Sequence, residues 1–270
     1  MNKNYVTDNA SRMSLEKFAQ GVLDILEADD GVPFEEKKKA ALDYLRQAES
    51  EPISKLLVDM AVADTFGDKT KAKFWEDGDS ISEDSSLFLR KVSDEDRDNF
   101  LAVKQHYSFA RSMFKQESYR TLLWNEHIQP KALMFSIFRD GEYIGYCGIG
   151  NTSLSPWEIS IELLPDWTGK GMGHKAIMLM LNGIKSKLDI DEFRVRIDPF
   201  NYNSQALFEK LGASPNGISE FMLHDEDELR SCEDSNLHLI DDKLVAVSKK
   251  FGVTPRELLS HVLEYKLLWK

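Results

Sequence analysis

The feature that most constrains the fold of this chain is a predicted strand, a glycine-rich loop and a predicted helix, one after another over residues 157–188. Large apolar and polar side chains alternate over residues 157–163, as in a strand with one buried face. Pro165 ends this strand, because proline cannot donate to a ladder. Three glycines follow within five residues, at Gly169, Gly171 and Gly173. Apolar residues then recur at helical spacing, so the pattern predicts strand, tight loop and helix in that order.

The loop is suited to binding a phosphate group. Glycines let successive backbone N–H groups turn inward at the start of a helix, where anions are favoured. A turn that only lets the strand and the helix pack closely is the alternative. A dinucleotide-binding fingerprint would need its third glycine at His174, and a P-loop would need Ser or Thr at Gly171. The spacing therefore fits neither of these two nucleotide motifs.

A different loop does match. Residues 168–173 read TGKGMG and resemble the R/Q-x-x-G-x-G/A loop of the GNAT superfamily of acyl-CoA-dependent N-acetyltransferases, with Thr168 where arginine or glutamine is usual. Residues 193–213 resemble a second family segment, a strand followed by N-x-x-S and a helix ending in E-K-L-G-F, with Ala213 replacing the aromatic. The resemblance covers residues 87–224 and the final strand, and it points to the branch of ribosomal-protein and aminoglycoside N-acetyltransferases.

This resemblance implies a fold and an activity. The implied fold is α/β (α+β), with a mixed GNAT-type sheet flanked by helices, in a domain over residues 87–270. The implied reaction transfers an acetyl group from acetyl-CoA to a primary amine, on a small molecule or a protein N-terminus, by direct attack in a ternary complex. The alternative is a catalytically idle module that senses acyl-CoA or binds a protein. Thr168 favours it, and so does Phe208, which stands where many members carry a tyrosine.

The resemblance also implies which residues hold the cofactor. The glycine loop would bind the pyrophosphate, and the backbone just after the strand would pair with the pantetheine arm. The N–H of Leu163 would stabilise the oxyanion of the tetrahedral intermediate. The residues expected to bind acetyl-CoA are Leu163, Leu164, Thr168, Gly169, Lys170, Gly171, Met172, Gly173, His174, Asn201, Ser204 and Phe208.

Three residues are expected to act in catalysis. A protonated amine is not a nucleophile, so a base must remove its proton. Glu158 and Glu162 lie on the polar side of the strand, and Glu158 matches the position of the base in some GNAT enzymes. Glu162 is then expected to contact the substrate ammonium. A solvated or salt-bridged strand residue is the alternative for each. Tyr202, Ser204 or water is expected to replace the missing tyrosine as proton donor to the thiolate.

Two helical regions lie outside the family pattern. Residues 1–80 are predicted to hold a helical extension, with three amphipathic helices over residues 14–66, followed by a polar linker over Lys69–Ser86. The extension is expected to pack on the catalytic domain or on a second subunit, which leaves a homodimer open. A helical insert over Asp225–His261 precedes the last strand. Helices around Gly252 resemble a helix-turn-helix, but acidic flanks repel DNA phosphate, so a helical hairpin over the acceptor site is favoured.

Three shorter signals complete the prediction. Asp140 and Gly141 separate two apolar runs, which is the strongest short signal for a β-hairpin. The aromatic-rich residues 107–126 would border the acceptor pocket by resemblance, although core packing is the favoured interpretation of each aromatic. His106 and His127 are expected to be surface residues rather than catalysts.

Composition narrows the class of protein. The net charge of −12 disfavours a nucleic acid as the main partner and mildly favours cationic substrates. The sequence has no secretory signal and no apolar run long enough for a membrane span, so no membrane partner is expected. Cys147 and Cys232 are expected to be reduced, as in a cytoplasmic protein, and without clustered Cys/His spacing no metal is expected.

Overall fold

The protein folds around one mixed β-sheet flanked by helices. The computed structural model describes residues 67–82, 86–220 and 224–270, together with scattered positions between 21 and 64. Within these residues the sheet has eight strands, in the order β1-β2-β3-β4-β5-β6-β8-β7. The strands are β1 (Ser80–Ser82), β2 (Leu87–Lys91), β3 (Leu133–Arg139), β4 (Glu142–Ile149), β5 (Trp157–Leu163), β6 (Glu192–Ile197), β7 (Ser214–Ser219) and β8 (Val262–Leu268).

Helices cover both faces of the sheet. They are α1 (Arg97–Tyr107), α2 (Glu117–Ile128), α3 (Met172–Leu188), α4 (Tyr202–Lys210), α5 (Glu226–Asn236) and α6 (Asp242–Phe251). The main core contains the apolar stripe of α3 and side chains of α4 and α6, packed against the apolar side of the strands. A second, smaller core holds residues of α1 and α2 with side chains of β3 and β4. The expected α/β architecture is confirmed.

Neighbouring strands are antiparallel except at one junction. The pairs β1–β2, β2–β3, β3–β4, β4–β5, β6–β8 and β7–β8 are antiparallel. The strands β5 and β6 are parallel, because α3 carries the chain back to the starting end of the sheet. The final strand β8 lies between β6 and β7, so it fills the interior of the sheet rather than its edge.

The predicted hairpin is confirmed. β3 and β4 are joined by Asp140 and Gly141, with φ of 51° and 84°. A two-residue turn in which both residues have positive φ matches the twist of antiparallel strands, and Asp-Gly is a favoured sequence for it.

The linker predicted over Lys69–Ser86 is wrong in its first part. Residues 67–74 are helical, Phe74 and Trp75 are buried against Phe135, and β1 pairs with β2. The fit depends on Gly183 in α3, where an added Cβ would lie 2.9 Å from the Cδ1 of Ile81. The segment is mostly polar, but the side chains of Phe74 and Trp75 are buried against the sheet.

Other predictions fall partly or wholly outside the described residues. The three helices predicted over residues 14–66 lie there almost entirely. The insert Asp225–His261 is helical, as predicted, but Thr254 and Glu257 cap only a short 3-10 turn.

Among the described residues, no helix combines the length and the apolarity needed to cross a membrane.

A buried carboxylate fixes the start of α1. Asp96 ends a single 3-10 turn and accepts hydrogen bonds from Ser136 Oγ (2.7 Å) and the backbone N–H of Ser93 (3.0 Å). It also pairs with Arg90, whose guanidinium lies over the ring of Phe138. These contacts tie the beginning of α1 to β2 and β3, so the other end of the helix has a defined position on the sheet.

We expect Asp96→Ala to lower the free energy of unfolding by about 2–3 kcal/mol, because it leaves Arg90 and Ser136 without their buried partner. Asp98→Ala is the matched control. Asp98 is also ion-paired, with Arg120, but its side chain is 86% exposed, and its loss should change stability by less than about 0.5 kcal/mol. Urea unfolding followed by tryptophan fluorescence measures both, and equal effects would contradict an anchoring role for Asp96.

Candidate active site

The sheet opens between β5 and β6. These parallel strands pair only at Trp157 with Phe193 and Glu158 with Arg194, although β5 continues to Leu163 and β6 to Ile197. Beyond the two pairs the strands separate, so backbone groups on the facing edge of β5 have no partner strand. The gap lies inside the sheet and is flanked by the starts of α3 and α4, which follow the two strands.

The hydrogen-bond register shows which backbone groups face this gap. The N–H of Leu164 donates to the carbonyl of Ile144 at 2.8 Å. Gly145 and Leu163 are therefore a non-hydrogen-bonded pair of the antiparallel ladder. It follows that the N–H and C=O of Leu163 point away from β4 and toward the gap. Leu163 and Leu164 are the two backbone positions expected to contact the cofactor. The N–H of Leu163 faces the gap without a hydrogen-bond partner among the described residues, whereas the N–H of Leu164 donates to Ile144.

The glycine loop leads directly into α3. Gly169 and Gly171 have φ of 69° and 77°, and nothing lies within 4 Å of a Cβ built at either position. Gly171 is the N-cap residue of α3 and supplies no side-chain cap. The N–H groups of the first helical turn, Met172 to His174, have no intrahelical acceptor. An uncapped helix start with left-handed glycines before it is suited to holding an anion.

The first turn of α3 packs against the gap. A Cβ at Gly173 would lie 3.5 Å from Ile161 Cδ1, 3.6 Å from Leu163 Cδ1 and 3.5 Å from Leu207 Cδ2. The helix start, β5 and α4 therefore converge at one place. Phosphate bound at the loop would lie at the same end of the sheet as the free N–H of Leu163.

Basic side chains surround the helix start. Lys170 lies over the ring of Trp167, with its Nζ 5.4 Å from the ring centroid. Lys175 is exposed one turn further on. Burial lowers the pKa of His174, and the nearby charge of Lys210 lowers it further. Thr168 departs from the arginine of the family loop, and its hydroxyl donates to Pro165 O at 2.8 Å within its own turn.

Glu162 is held at the gap by α1. Its Oε1 accepts a hydrogen bond from Lys104 Nζ at 2.9 Å, and its Oε2 is buried without a second cation beside it among the described residues. Three residues later on α1, Tyr107 donates its hydroxyl proton to Leu163 O at 2.8 Å. Burial, and then the charge of Glu162, raises the pKa of Tyr107. Burial, then the charge of Glu162 and a hydrogen bond with its side chain, raise the pKa of Tyr146 on β4 well above its ordinary value.

Glu158 has different surroundings. One carboxylate oxygen of Glu158 accepts a hydrogen bond from Arg196 Nε at 2.9 Å, and the other lies 3.0 Å from Nη2 of Arg194. Both guanidinium groups come from β6, on the polar side of the sheet. Glu158 therefore binds two cations of the protein, whereas Glu162 binds one among the described residues.

The α4 segment places its expected site residues in different surroundings. Asn201 caps α4 by accepting the N–H of Ser204 at 3.1 Å, and both residues lie at the start of the helix. Phe208 is only 2% exposed and packs in the main core. The hydroxyl of Tyr202 is buried without a partner among the described residues, and its ring lies under Lys243 of the insert.

The aromatic helices divide into core and site residues. Phe114 and Trp124 are buried in the second core, as favoured from the sequence, but Tyr107 reaches the gap and Phe109 is 95% exposed. The expectation that His127 lies at the surface is wrong. His127 is buried and stacks on Phe100 at 4.0 Å, and burial lowers its pKa to about 3. From the sequence alone a histidine is expected at the surface, and the contacts of His127 with Phe100 and Trp124 depend on how α1 and α2 pack.

Four residues at the gap were not found from the sequence in these roles: Lys104, Tyr107, Arg194 and Arg196. Arg194 and Arg196 lie on one face of β6, as Glu158 and Glu162 do on β5. This alternation is the sequence pattern that could have indicated ion pairs between the two strands. The described residues contain no group of three or more His, Cys, Asp or Glu side chains that could hold a metal ion.

Part of this chain is similar in sequence to known proteins. Residues 86–214 match the family model described as Acetyltransferase (GNAT) domain. A Bacillus subtilis (strain 168) protein named "Putative ribosomal protein bS18-alanine N-acetyltransferase" is 27% identical over 140 residues, which cover 52% of this chain and 89% of that protein.

Several solved structures also align with this chain at low sequence identity. The ribosomal L7/L12 α-N-protein acetyltransferase RimL in complex with coenzyme A aligns with a TM-score of 0.49 and 14% identity, over 70% of this chain and 98% of RimL. Mycobacterium smegmatis RimJ in complex with a CoA disulfide aligns with a TM-score of 0.46 and 17% identity, over 67% of this chain and 81% of RimJ. Residues 86–214 of this chain are therefore similar to the acetyltransferase domain of the GNAT family.

Proposed function

We propose that this protein transfers an acetyl group from acetyl-CoA to the α-amine of a polypeptide N-terminus, by direct attack within a ternary complex. The single observation that carries this proposal is the convergence of three features at the β5–β6 gap. They are the uncapped start of α3, the N–H of Leu163 facing the gap and the partly unpaired carboxylate of Glu162. They match the three needs of the reaction, namely a phosphate site, an oxyanion donor and a base.

Acetyl-CoA would bind with its pyrophosphate at the glycine loop and its pantetheine arm along the exposed edge of β5. The free N–H groups of Met172, Gly173 and His174 would hold the phosphates, with Lys170 adding positive charge. This places the thioester carbonyl near Leu163, whose N–H can donate to the oxyanion as it forms. Asn201 and Ser204 border the gap on the α4 side and can bond to the amide groups of the arm.

Glu162 is the base that the geometry favours. A protonated N-terminal amine has a pKa near ~8 and must lose a proton before it attacks. A carboxylate with a single cation partner can take that proton, directly or through water, and such a base contributes about a hundredfold or more in rate. The reverse assignment from the sequence, with Glu158 as base and Glu162 as ammonium contact, stays open. Both oxygens of Glu158 are bound to arginines, which disfavours it.

The choice of a polypeptide N-terminus rests on the name of the Bacillus relative, an alanine N-acetyltransferase. Aminoglycosides, polyamines and amino-sugars also present primary amines. A coupled assay of thiol release would therefore compare an Ala-initiated hexapeptide with kanamycin, spermidine and glucosamine. Peptide turnover well above the others supports the proposal, and preferred turnover of a small amine would assign a different acceptor.

The rival function is a catalytically idle module that binds acyl-CoA or a protein. Thr168 and Phe208 depart from the family pattern and are the residues that favour it. Acetyl-CoA binding without turnover of any amine would support this module. Turnover of one amine class excludes it.

The glycine loop gives the first test of cofactor binding. We expect Gly171→Glu to weaken acetyl-CoA binding by roughly a hundredfold or more, because a carboxylate would stand where phosphate binds. Gly171→Asn is the control, since asparagine tolerates positive φ and adds no charge. It should keep the affinity within about tenfold. Titration calorimetry measures both variants, and unchanged affinity in Gly171→Glu would remove the loop from the cofactor site.

The two glutamates have separable signatures. Glu162→Gln should lower kcat roughly a hundredfold while the KM for acetyl-CoA changes little. The loss should shrink as pH rises past the pKa of the amine, because free amine then arrives without help from the base. Glu158→Gln keeps one oxygen that can accept from an arginine of β6, and it should retain most of kcat.

Steady-state kinetics of both variants from pH 6 to 9 decides between the assignments. A large loss in Glu158→Gln with normal turnover in Glu162→Gln would restore the assignment made from the sequence. Normal turnover in both would show that the base lies elsewhere.

A further inference from the structure

Glu162 is held on two sides by residues of different elements. On one side, Lys104 of α1 donates to its Oε1 at 2.9 Å. On the other side, Tyr146 of β4 lies directly opposite Glu162 in the antiparallel register, so the two side chains project from the same face of the sheet. The hydroxyl of Tyr146 shares a hydrogen bond with the Glu162 side chain. The carboxylate therefore has one partner from a helix and one from the neighbouring strand.

Tyr146 is buried among aromatic rings of the second core. Its side chain is 5% exposed, and its ring centroid lies 5.2 Å from that of Phe100 and 4.9 Å from that of His127. A buried tyrosine hydroxyl needs a hydrogen-bond partner, and a carboxylate is a stronger acceptor than a neutral group. Because the ring is closely packed, the core fixes the position from which its hydroxyl reaches Glu162.

The hydroxyl of Tyr146 is suited to be a donor and not a base. Burial, followed by the charge of Glu162 and the hydrogen bond with it, raises the pKa of Tyr146 well above its ordinary value. The phenol therefore stays protonated where an N-terminal amine is acetylated, and it cannot take the proton of the amine. A phenol has one proton to donate, and here Glu162 receives that hydrogen bond.

We propose that Tyr146 and Lys104 are positioning residues for acetyl transfer, which hold the carboxylate of Glu162 between them and direct it to the amine at the β5–β6 gap. This inference rests on the proposed function, in which Glu162 is the base. A glutamate side chain has several rotatable bonds, and a single contact leaves its carboxylate free to turn. A displacement of about 1 Å can cost up to about a hundredfold in rate, so the two contacts act on kcat.

The test measures steady-state kinetics on a hexapeptide that begins with alanine. We expect Tyr146→Phe to lower kcat roughly tenfold, because the ring stays and the donor is lost, while the KM for acetyl-CoA stays within about twofold. Lys104→Gln should also lower kcat roughly tenfold. In the Glu162→Gln background each of these changes should alter kcat by less than about twofold, because both residues act through Glu162.

Tyr143→Phe is the matched control. It removes a hydroxyl from the same strand and the same core, and that hydroxyl has no hydrogen-bond partner among the described residues. It should keep kcat within about twofold of the wild-type value. Calorimetry of acetyl-CoA binding shows whether each variant keeps an intact cofactor site. If Tyr146→Phe does not fold, Lys104→Gln carries the test, since the Lys104 side chain is partly exposed.

Unchanged kcat in Tyr146→Phe and Lys104→Gln would overturn the proposal, and so would losses as large in the Glu162→Gln background as in the wild type. An equal loss in Tyr143→Phe and Tyr146→Phe would also overturn it, because any disturbance of the core would then have the same effect. Normal turnover by Glu162→Gln alone would instead reject Glu162 as the base. No turnover of any amine by the wild-type protein would reject the proposed function, so these failures are distinguishable.

Discussion

The site depends on the parallel pairing of β5 with β6 and on its early end. Two residue pairs join the strands, and the rest of β5 has no neighbour on that edge. Unpaired backbone groups inside a sheet are unfavourable unless a partner satisfies them. Here the carbonyl of Leu163 is satisfied by Tyr107, and its N–H stays available. The same opening lets α3 begin against β5, with Gly173 making close contact possible. The opening between β5 and β6 is therefore the place where a bound molecule can satisfy the unpaired backbone groups of β5.

Two glutamates on the same side of one strand have different chemistry because of what lies opposite them. Glu158 meets Arg194 and Arg196 on β6, where the strands are still paired. Glu162 lies beyond the pairing, and among the described residues its ion-pair partner is Lys104 of α1. Ion pairs at both oxygens hold the side chain of Glu158 against β6, whereas Glu162 has one cation beside it. The separation of the strands thus gives the two glutamates different surroundings.

Local signals were predictable from the sequence, and partners distant in the chain were not. The Asp140–Gly141 turn and the order of strand, loop and helix around Gly171 depend on neighbouring residues, and both are confirmed. The alternation that places Glu158 and Glu162 on one face is also local. Their partners are 38 and 58 residues away, and no periodicity encodes which cation meets which glutamate. The buried helical part of the supposed linker was missed for the same reason, because its aromatics meet a core formed by distant strands.

The charge of the whole chain is a poor guide to what this site binds. A net charge of −12 would repel the phosphates of a nucleotide cofactor if charge acted at long range. At physiological salt, interactions beyond about 8 Å are largely screened, so groups within the first shell dominate. At the loop these groups are Lys170, Lys175 and the positive end of α3, with Lys210 nearby. Much of the acidic excess lies elsewhere, including the exposed residues 225–228 that begin α5. An acidic protein can therefore hold a polyanionic cofactor, provided that its acidic residues are kept away from the helix start.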